Sequence, residues 1–240
     1  MYKRQILVVK YRANGTVQWT SRFGGPGLDV GYSVQQTSDG GYVIGAETNS
    51  VGPLLNLAML RLDPAGNYLW SWVHEGDQSS EDAIYGAEAG VSVRQFAERF
   101  VLTGRKRLSQ TQQMGVLVSA AANGAPIFNF RYGDPRTNER TMVSFTDVRA
   151  STVNGFVVVG AEQLPVTGTG ASNTDPILLR MTLAGAPILA RNYSLIPNDQ
   201  LEIGVADGVA LAENGDIVFN GRSNYFGSGS TNMQSFRVDN

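Results

Sequence analysis

Short apolar runs alternate with clusters of Gly, Asn, Asp and Ser along the whole chain, and no segment holds a helical period for long. Two anchors recur within this pattern. The first is an apolar strand, a Gly turn and a second apolar strand. It spans 6–19 around Asn14-Gly15, 57–72 around Ala65-Gly66, 115–130 around Asn123-Gly124, and 177–189 around Ala184-Gly185. Its turn glycines lie 51, 58 and 61 residues apart. The second anchor is a turn, a strand and a closing Gly, ending at Gly45, Gly104, Gly160 and Gly221, which are 59, 56 and 61 residues apart. Two independent anchors with nearly one period mark an internal repeat of about 60 residues, the length of a propeller blade or a similar array unit.

Each repeat holds four strand-like runs rich in Val, Ile, Leu, Tyr, Phe and Trp, so the chain reads as all-β, a β-propeller of four-stranded antiparallel blades. The pattern predicts strands near 32–37, 42–47, 57–62 and 68–74 in the first blade. The second has 84–93, 99–105, 115–120 and 126–132, and the third 142–149, 155–162, 176–182 and 187–193. The fourth has 203–211, 216–222 and 233–238. The Ala- and Glu-rich stretch 80–95 is the best helix candidate, but the repeat register places a strand near 91–93. By repeat, residues 6–240 form one propeller segment with units near 6–56, 57–113, 114–175 and 176–232 and a partial copy at 233–240. Val17–Phe23 has the character of a missing fourth strand and could close a four-bladed ring. The third-strand type, however, occurs five times, at 6–12, 57–62, 115–120, 176–182 and 233–238, and such a ring has no place for the fifth. The count favours a segment of a larger propeller, with unpaired edges or apolar blade faces at its ends.

Bulk properties exclude several classes of function. The 240 residues carry a net charge of −2 with acidic and basic groups mixed, which leaves no electrostatic footprint for nucleic acid. No apolar run reaches the ~20 residues of a spanning helix. The absence of Cys removes disulfides, thiolate metal sites and thiol catalysis, and a single His, His74, removes any multi-histidine metal centre. Met1–Gln5 (Met-Tyr-Lys-Arg-Gln) reads as the translation of a sequencing-library adapter end and is set apart from the fold.

The motif running from Phe23-Gly24-Gly25 through Asp29, Thr37-Ser-Asp-Gly-Gly-Tyr-Val-Ile-Gly45 and Leu60-Arg-Leu-Asp-Pro-Ala-Gly66 to Trp70 resembles the bacterial β-propeller repeats of secreted and cell-surface proteins, described as SBBP-type or delta-60-type. The resemblance covers nearly the whole chain, most fully over 23–72. Later copies depart from it: Ala97-Glu98-Arg99 replaces Asp-Gly-Gly in the second, and Phe128 and Leu189 stand where the first has Trp. The resemblance implies an extracellular or cell-surface location and a scaffold or binding role, and it brings no catalytic residues.

The recurrent residues are fold-making. Gly40 and Gly41 suit a tight hairpin, with Asp39 bonding its own turn. Gly45, Gly104, Gly160 and Gly221 close the second strand, and Trp19 and Trp70 have the bulk to pack between sheets. Ligand chemistry is sought instead in the connections entering the inner strands. Asp29, Asp82, Glu139 and Glu202, with Glu81 and Asp199 beside them, could ring one face and bind Ca²⁺ or a sugar; alternatively each caps local amides and holds its loop. Tyr85 and Tyr225 could stack on a sugar, as could Tyr32, Tyr132, Tyr193 and Phe226, or all could pack between blades. Asn192-Tyr193-Ser194 fits a glycosylation acceptor by chance. His74, beside Glu75 and Asp77, reads as a solvated loop residue rather than an acid–base group. Gly24-Gly-Pro-Gly27 precedes a strand and so is no phosphate cradle. The variable loops 48–56, 107–113, 165–175 and 223–232 are where recognition would sit on a rigid scaffold.

These features favour a non-enzymatic scaffold or a module binding protein or carbohydrate, which needs no cofactor and has the remaining blades of a longer protein as neighbours. One alternative is a propeller glycoside hydrolase or lyase using carboxylates from different blades; another is a Ca²⁺-stabilised scaffold.

Overall fold

The computed structural model describes residues 4–52, 55–74, 92–107, 113–133, 142–151, 155–165, 172–193, 204–223 and 232–239. Within them the chain is all-β, without helix. It opens with an antiparallel pair, β1 (Ile6–Tyr11) and β2 (Val17–Phe23). A four-stranded meander follows: β3 (Asp29–Gln36), β4 (Tyr42–Thr48), β5 (Asn56–Leu62) and β6 (Tyr68–Val73). The next meander is β7 (Val93–Phe96), β8 (Arg99–Arg107), β9 (Gln113–Ala121) and β10 (Pro126–Tyr132). The third is β11 (Met142–Ser151), β12 (Gly155–Pro165), β13 (Ser172–Thr182) and β14 (Pro187–Asn192). One parallel pair, Met142 with Gln113, joins these last two into an eight-stranded sheet. The chain ends with β15 (Gly204–Leu211), β16 (Ile217–Ser223) and β17 (Asn232–Val238).

The burial of the strands follows from this stacking. Middle strands lie between neighbouring sheets, so both faces are covered; β4 and β5 are buried along almost their whole length. Outer strands have one neighbourless face, and β2, β6 and β10 alternate between exposed and half-buried positions. Four apolar clusters fill the four gaps between successive sheets. Ile6 and Trp19 meet Ile44 and Leu60; Met59 and Leu57 meet Phe100 and Val118. Leu117 and Phe128 meet Phe156 and Val158, and Val159 and Leu178 meet Phe219 and Val209.

An aromatic residue clamps each of the outer strands β2, β6 and β10 to the next sheet. Trp19 of β2 lies on the β5–β6 turn, where a Cβ on Gly66 would come within 2.8 Å of its ring. Trp70 of β6 lies on Gly124 in the β9–β10 turn (2.9 Å), and Phe128 of β10 on Gly185 in the β13–β14 turn (2.7 Å). All three glycines have φ near +85°, so both backbone conformation and space demand Gly there. The Trp70 indole N–H also donates to the Ala122 carbonyl at 2.9 Å.

Gly40, with φ +84°, closes the β3–β4 turn, and the Asp39 carboxylate there accepts both the Gly41 amide and the Arg61 guanidinium. That carboxyl is held below its ordinary range by the Thr37 hydroxyl, then by the Gly41 amide and Arg61. Among the closing glycines the sheet shifts one member. Gly160 faces Phe145 and Gly221 faces Ala206, whereas in the first meander the corresponding partner of Gly31 is Ala46, one residue beyond Gly45. The register, set by the bulges in β3, β11 and β15, decides this, and sequence spacing does not.

Ring closure through β2 is not what the fold shows: β2 pairs with β1, and among the described residues β17 pairs with β16 alone. Among the described residues five sheet units therefore stand in sequence, the first of two strands and the last of three.

Candidate functional site

The inner strands β3, β7, β11 and β15 stand beside one another in succession, and polar side chains link each to the next. The bulges in β3, β11 and β15 fall at one level, after Gly31, Phe145 and Ala206. In β3 and β11 the residue after the bulge, Ser33 or Asp147, bonds to the next inner strand. The Ser33 hydroxyl accepts the Val93 amide at 3.0 Å, and the Gln35 side chain accepts the Gln95 amide at 2.7 Å.

Asp147 is the centre of this network. It is buried, and its two oxygens accept from three inner strands: the Ser92 hydroxyl at 2.5 Å, its own strand's Val148 amide at 2.9 Å and the Val209 amide at 3.2 Å. Arg149 stands 3.0 Å and Arg94 3.6 Å from the same carboxylate. Both guanidiniums are partly exposed, so one enclosed anion is paired with two partly accessible cations. Sequence reasoning missed Asp147 because it looked for carboxylates in loops. The available signal was a charged Asp147-Val-Arg149 inside an inner strand, where the first copy reads Ser33-Val-Gln35.

Asp29 is the one predicted loop carboxylate among the described residues. It is buried and accepts the hydroxyls of Thr48 and Ser50 and the Gly25 amide, the last at 2.9 Å. It thus ties the Gly-rich entry of β3 to the end of β4. Asp82, Tyr85, Glu139, Glu202 and Tyr225 lie outside the described residues, as do Glu81, Asp199 and Phe226.

Of the other aromatics, Tyr32 is packed against the cluster between the second and third sheet units, and its phenol donates to Glu47 at 2.6 Å. Burial, reinforced by the carboxylate, pushes the Tyr32 phenol up, and burial pushes the Glu47 carboxyl up. Tyr132 packs beside Phe145, and Tyr193 meets Phe219 edge-on at 5.2 Å. His74 is a correction to the sequence expectation: it is buried, stacked on Trp72 at 5.5 Å, with Nε2 3.3 Å from the Asn129 amide nitrogen.

A second pair of enclosed acids lies in the third meander, where Glu162 and Asp175 are direct cross-strand partners and both are buried. Asn192 donates to Glu162 at 2.7 Å. Burial raises the Glu162 carboxyl above its ordinary range. A raised folded-state carboxyl means the fold binds more protons than the unfolded chain, so this group's contribution to stability is lost as pH rises through the folded value. Glu162→Gln keeps an acceptor for Asn192 and removes the buried charge. The variant is expected to melt with the parent at pH 4 and above it at pH 7.5, as checked by thermal denaturation at both values.

Among the described residues no cluster of three or more His, Asp or Glu could hold a metal ion. No helix among them is long and apolar enough to cross a membrane.

No family model matches the chain, and no curated protein matches it. Among solved structures it is similar to the α-L-arabinanase of Penicillium chrysogenum complexed with arabinobiose, with a TM-score of 0.52 at 11% identity over 96% of this chain and 73% of that chain. Likeness at this identity speaks to fold alone, and together with the succession of sheets described above it makes this chain an all-β protein of propeller-like arrangement.

Proposed function

We propose that this chain is a binding propeller of a secreted or surface protein, a rigid scaffold that presents its variable loops to a carbohydrate or protein ligand. The observation that carries the proposal is the use made of the enclosed carboxylates. Asp147 is enclosed by a hydroxyl, two amides and two guanidiniums, and Asp29 by two hydroxyls and an amide. A glycosidase needs two carboxyl groups about 5–10 Å apart that are free to meet the sugar and trade a proton; these two are engaged in holding strands and loops. The repeat supports the same view, since among the described residues its turn glycines and Trp19 and Trp70 are engaged in turns and sheet contacts.

The arabinanase likeness makes arabinan the right substrate for the test. Incubation with linear arabinan is expected to release no reducing sugar. Binding to arabinan or to other plant and bacterial polysaccharides is expected in affinity electrophoresis. Sustained release of reducing ends would overturn the proposal in favour of the hydrolase. The melting temperature is expected to be unchanged by EDTA and by added Ca²⁺, because Asp29 already has its partners within the chain; a rise with Ca²⁺ would establish the metal-stabilised scaffold instead.

A further inference from the structure

We propose that Arg94 and Arg149 together bind the carboxylate of an acidic saccharide, a uronic-acid unit of a polysaccharide. The inference rests on the reading of this chain as a binding propeller and gives its ligand a chemical class. Gln35, Arg94, Arg149 and Ala210 occupy one register position in the inner strands, facing Val43, Val101, Val157 and Val218 of the second strands. The first three each reach the next inner strand: Gln35 the Gln95 amide, Arg94 the Asp147 carboxylate and Arg149 the Val209 carbonyl at 3.0 Å. Arg94 and Arg149 stand inside the succession, each with an inner strand on either side.

Charge does not balance at this position. Among the described residues Asp147 is the one carboxylate within ion-pair distance of either guanidinium, and it answers one of the two positive charges. Asp147 is enclosed, whereas the side chains of Arg94 and Arg149 keep 24% and 35% of their surface in solvent. Arg94 donates to the Val93 carbonyl at 2.7 Å, and its Nε has no hydrogen-bond partner among the described residues. Gln35 supplies a further donor. Its Oε1 accepts the Gln95 amide at 2.7 Å, which fixes the carboxamide and leaves Nε2 to donate elsewhere. Three successive inner strands therefore present donors at one position, with surplus positive charge. A carboxylate, whose two oxygens match the planar guanidinium fork, is the complementary group.

The saccharide part follows from the adjoining surface. An open depression of about 470 Å³ is lined by Gln35, Gln36, Ser38, Gln95 and Glu98, with Thr37 and Ala97. Gln35 belongs to both features, and Gln95 follows Arg94 in β7. Apart from Glu98, the polar groups here are neutral carboxamides and hydroxyls, which suit sugar hydroxyls that both donate and accept. Gln36 donates through Nε2 to the Gly40 carbonyl at 3.1 Å and keeps Oε1 as an acceptor. No large apolar side chain lines the depression, so it offers a peptide no apolar anchor.

Affinity electrophoresis and calorimetry of the whole chain with polygalacturonate at low salt test the proposal, with EDTA present to remove metal-bridged binding. Polygalacturonate is expected to bind, and fully methyl-esterified pectin, which lacks the charge, to bind at least about tenfold more weakly. Arg94→Gln is expected to lower the affinity about tenfold, the scale of a lost hydrogen bond to a charged group. Ala210→Glu and Gln35→Glu leave both arginines and the inner-strand network in place. The first puts a carboxylate on an exposed position of the strand beside Arg149, and the second keeps the acceptor for the Gln95 amide. Each is expected to weaken binding as much as Arg94→Gln does. Arg131→Gln, at an exposed position of β10, is expected to change nothing. Circular dichroism melts check that each variant is folded. Absence of polygalacturonate binding overturns the proposal, as does full binding by Ala210→Glu and Gln35→Glu or an equal loss in Arg131→Gln. Tighter binding of poly-glutamate than of polygalacturonate overturns it in favour of an acidic peptide. Arabinan binding without polygalacturonate binding would defeat this inference alone, whereas sustained cleavage of arabinan would defeat the binding-propeller reading on which it rests.

Discussion

Trp70→Ala is expected to lower the stability of the chain by about 3 kcal/mol, the scale for removing a large aromatic from a packed site. The indole does three things that Ala cannot. It covers the β9–β10 turn at Gly124, packs on Phe100 with ring centroids 5.9 Å apart, and donates to the Ala122 carbonyl at 2.9 Å. The gap left behind does not collapse, because the Gly backbone opposite has no side chain with which to fill it. Trp19→Ala is expected to cost about half as much. Its indole N–H has no hydrogen-bond partner among the described residues, and it clamps a two-stranded unit rather than a complete one. Urea denaturation of both variants with unchanged slope gives the comparison. Equal losses would show that the hydrogen bond and the second sheet face contribute nothing.

Asp147→Ala is expected to be at least as damaging, with a loss of about 3–5 kcal/mol, the range for removing one partner from a buried charge network. The substitution leaves Arg94 and Arg149 without the carboxylate they share. It also orphans the Val209 amide and the Ser92 hydroxyl. Asp147→Asn preserves volume but presents a donor to an oxygen position that now accepts from Val209 and Arg149, so it is expected to recover less than half of the loss. Because the carboxylate is enclosed, the penalty should persist in 0.5 M salt, where an exposed pair would be screened. A loss that disappears in salt would show that the cluster acts as a surface pair and does not join the inner strands.

Different parts of the molecule were legible in the sequence to different degrees, for identifiable reasons. β4 was readable to within a residue, predicted at 42–47 and observed at Tyr42–Thr48, because turn glycines bound an apolar run on both sides. β7 was less so: a strand predicted over 84–93 is described only at Val93–Phe96, and the copy there has Ala97-Glu98-Arg99 in place of the Gly turn. Ala97 takes φ +51° in that turn, a left-handed conformation that sequence alone assigns to Gly. Of the candidate site, Asp29 was named from its place before an inner strand, while Asp147, Glu47 and Glu162 were not. Asp147 stands where the first copy has Ser33, and although Glu47 and Glu162 each follow a closing Gly as Gly-Ala-Glu, a charge inside a strand acquires meaning only through the neighbour that meets it.

By itself the sequence determined that this is an all-β chain of repeated hairpins, because turn chemistry and apolar run length are local and each copy restates them. It also determined that one strand type is present once too often for a closed four-bladed ring. The tertiary structure alone decided where the extra strand goes, which closing residues share a level, and which acids are enclosed. Those outcomes depend on bulges that shift register by one residue and on contacts between strands some 60 positions apart, such as Asp147 with Val209. Inter-sheet packing selects among registers that the local pattern leaves equivalent.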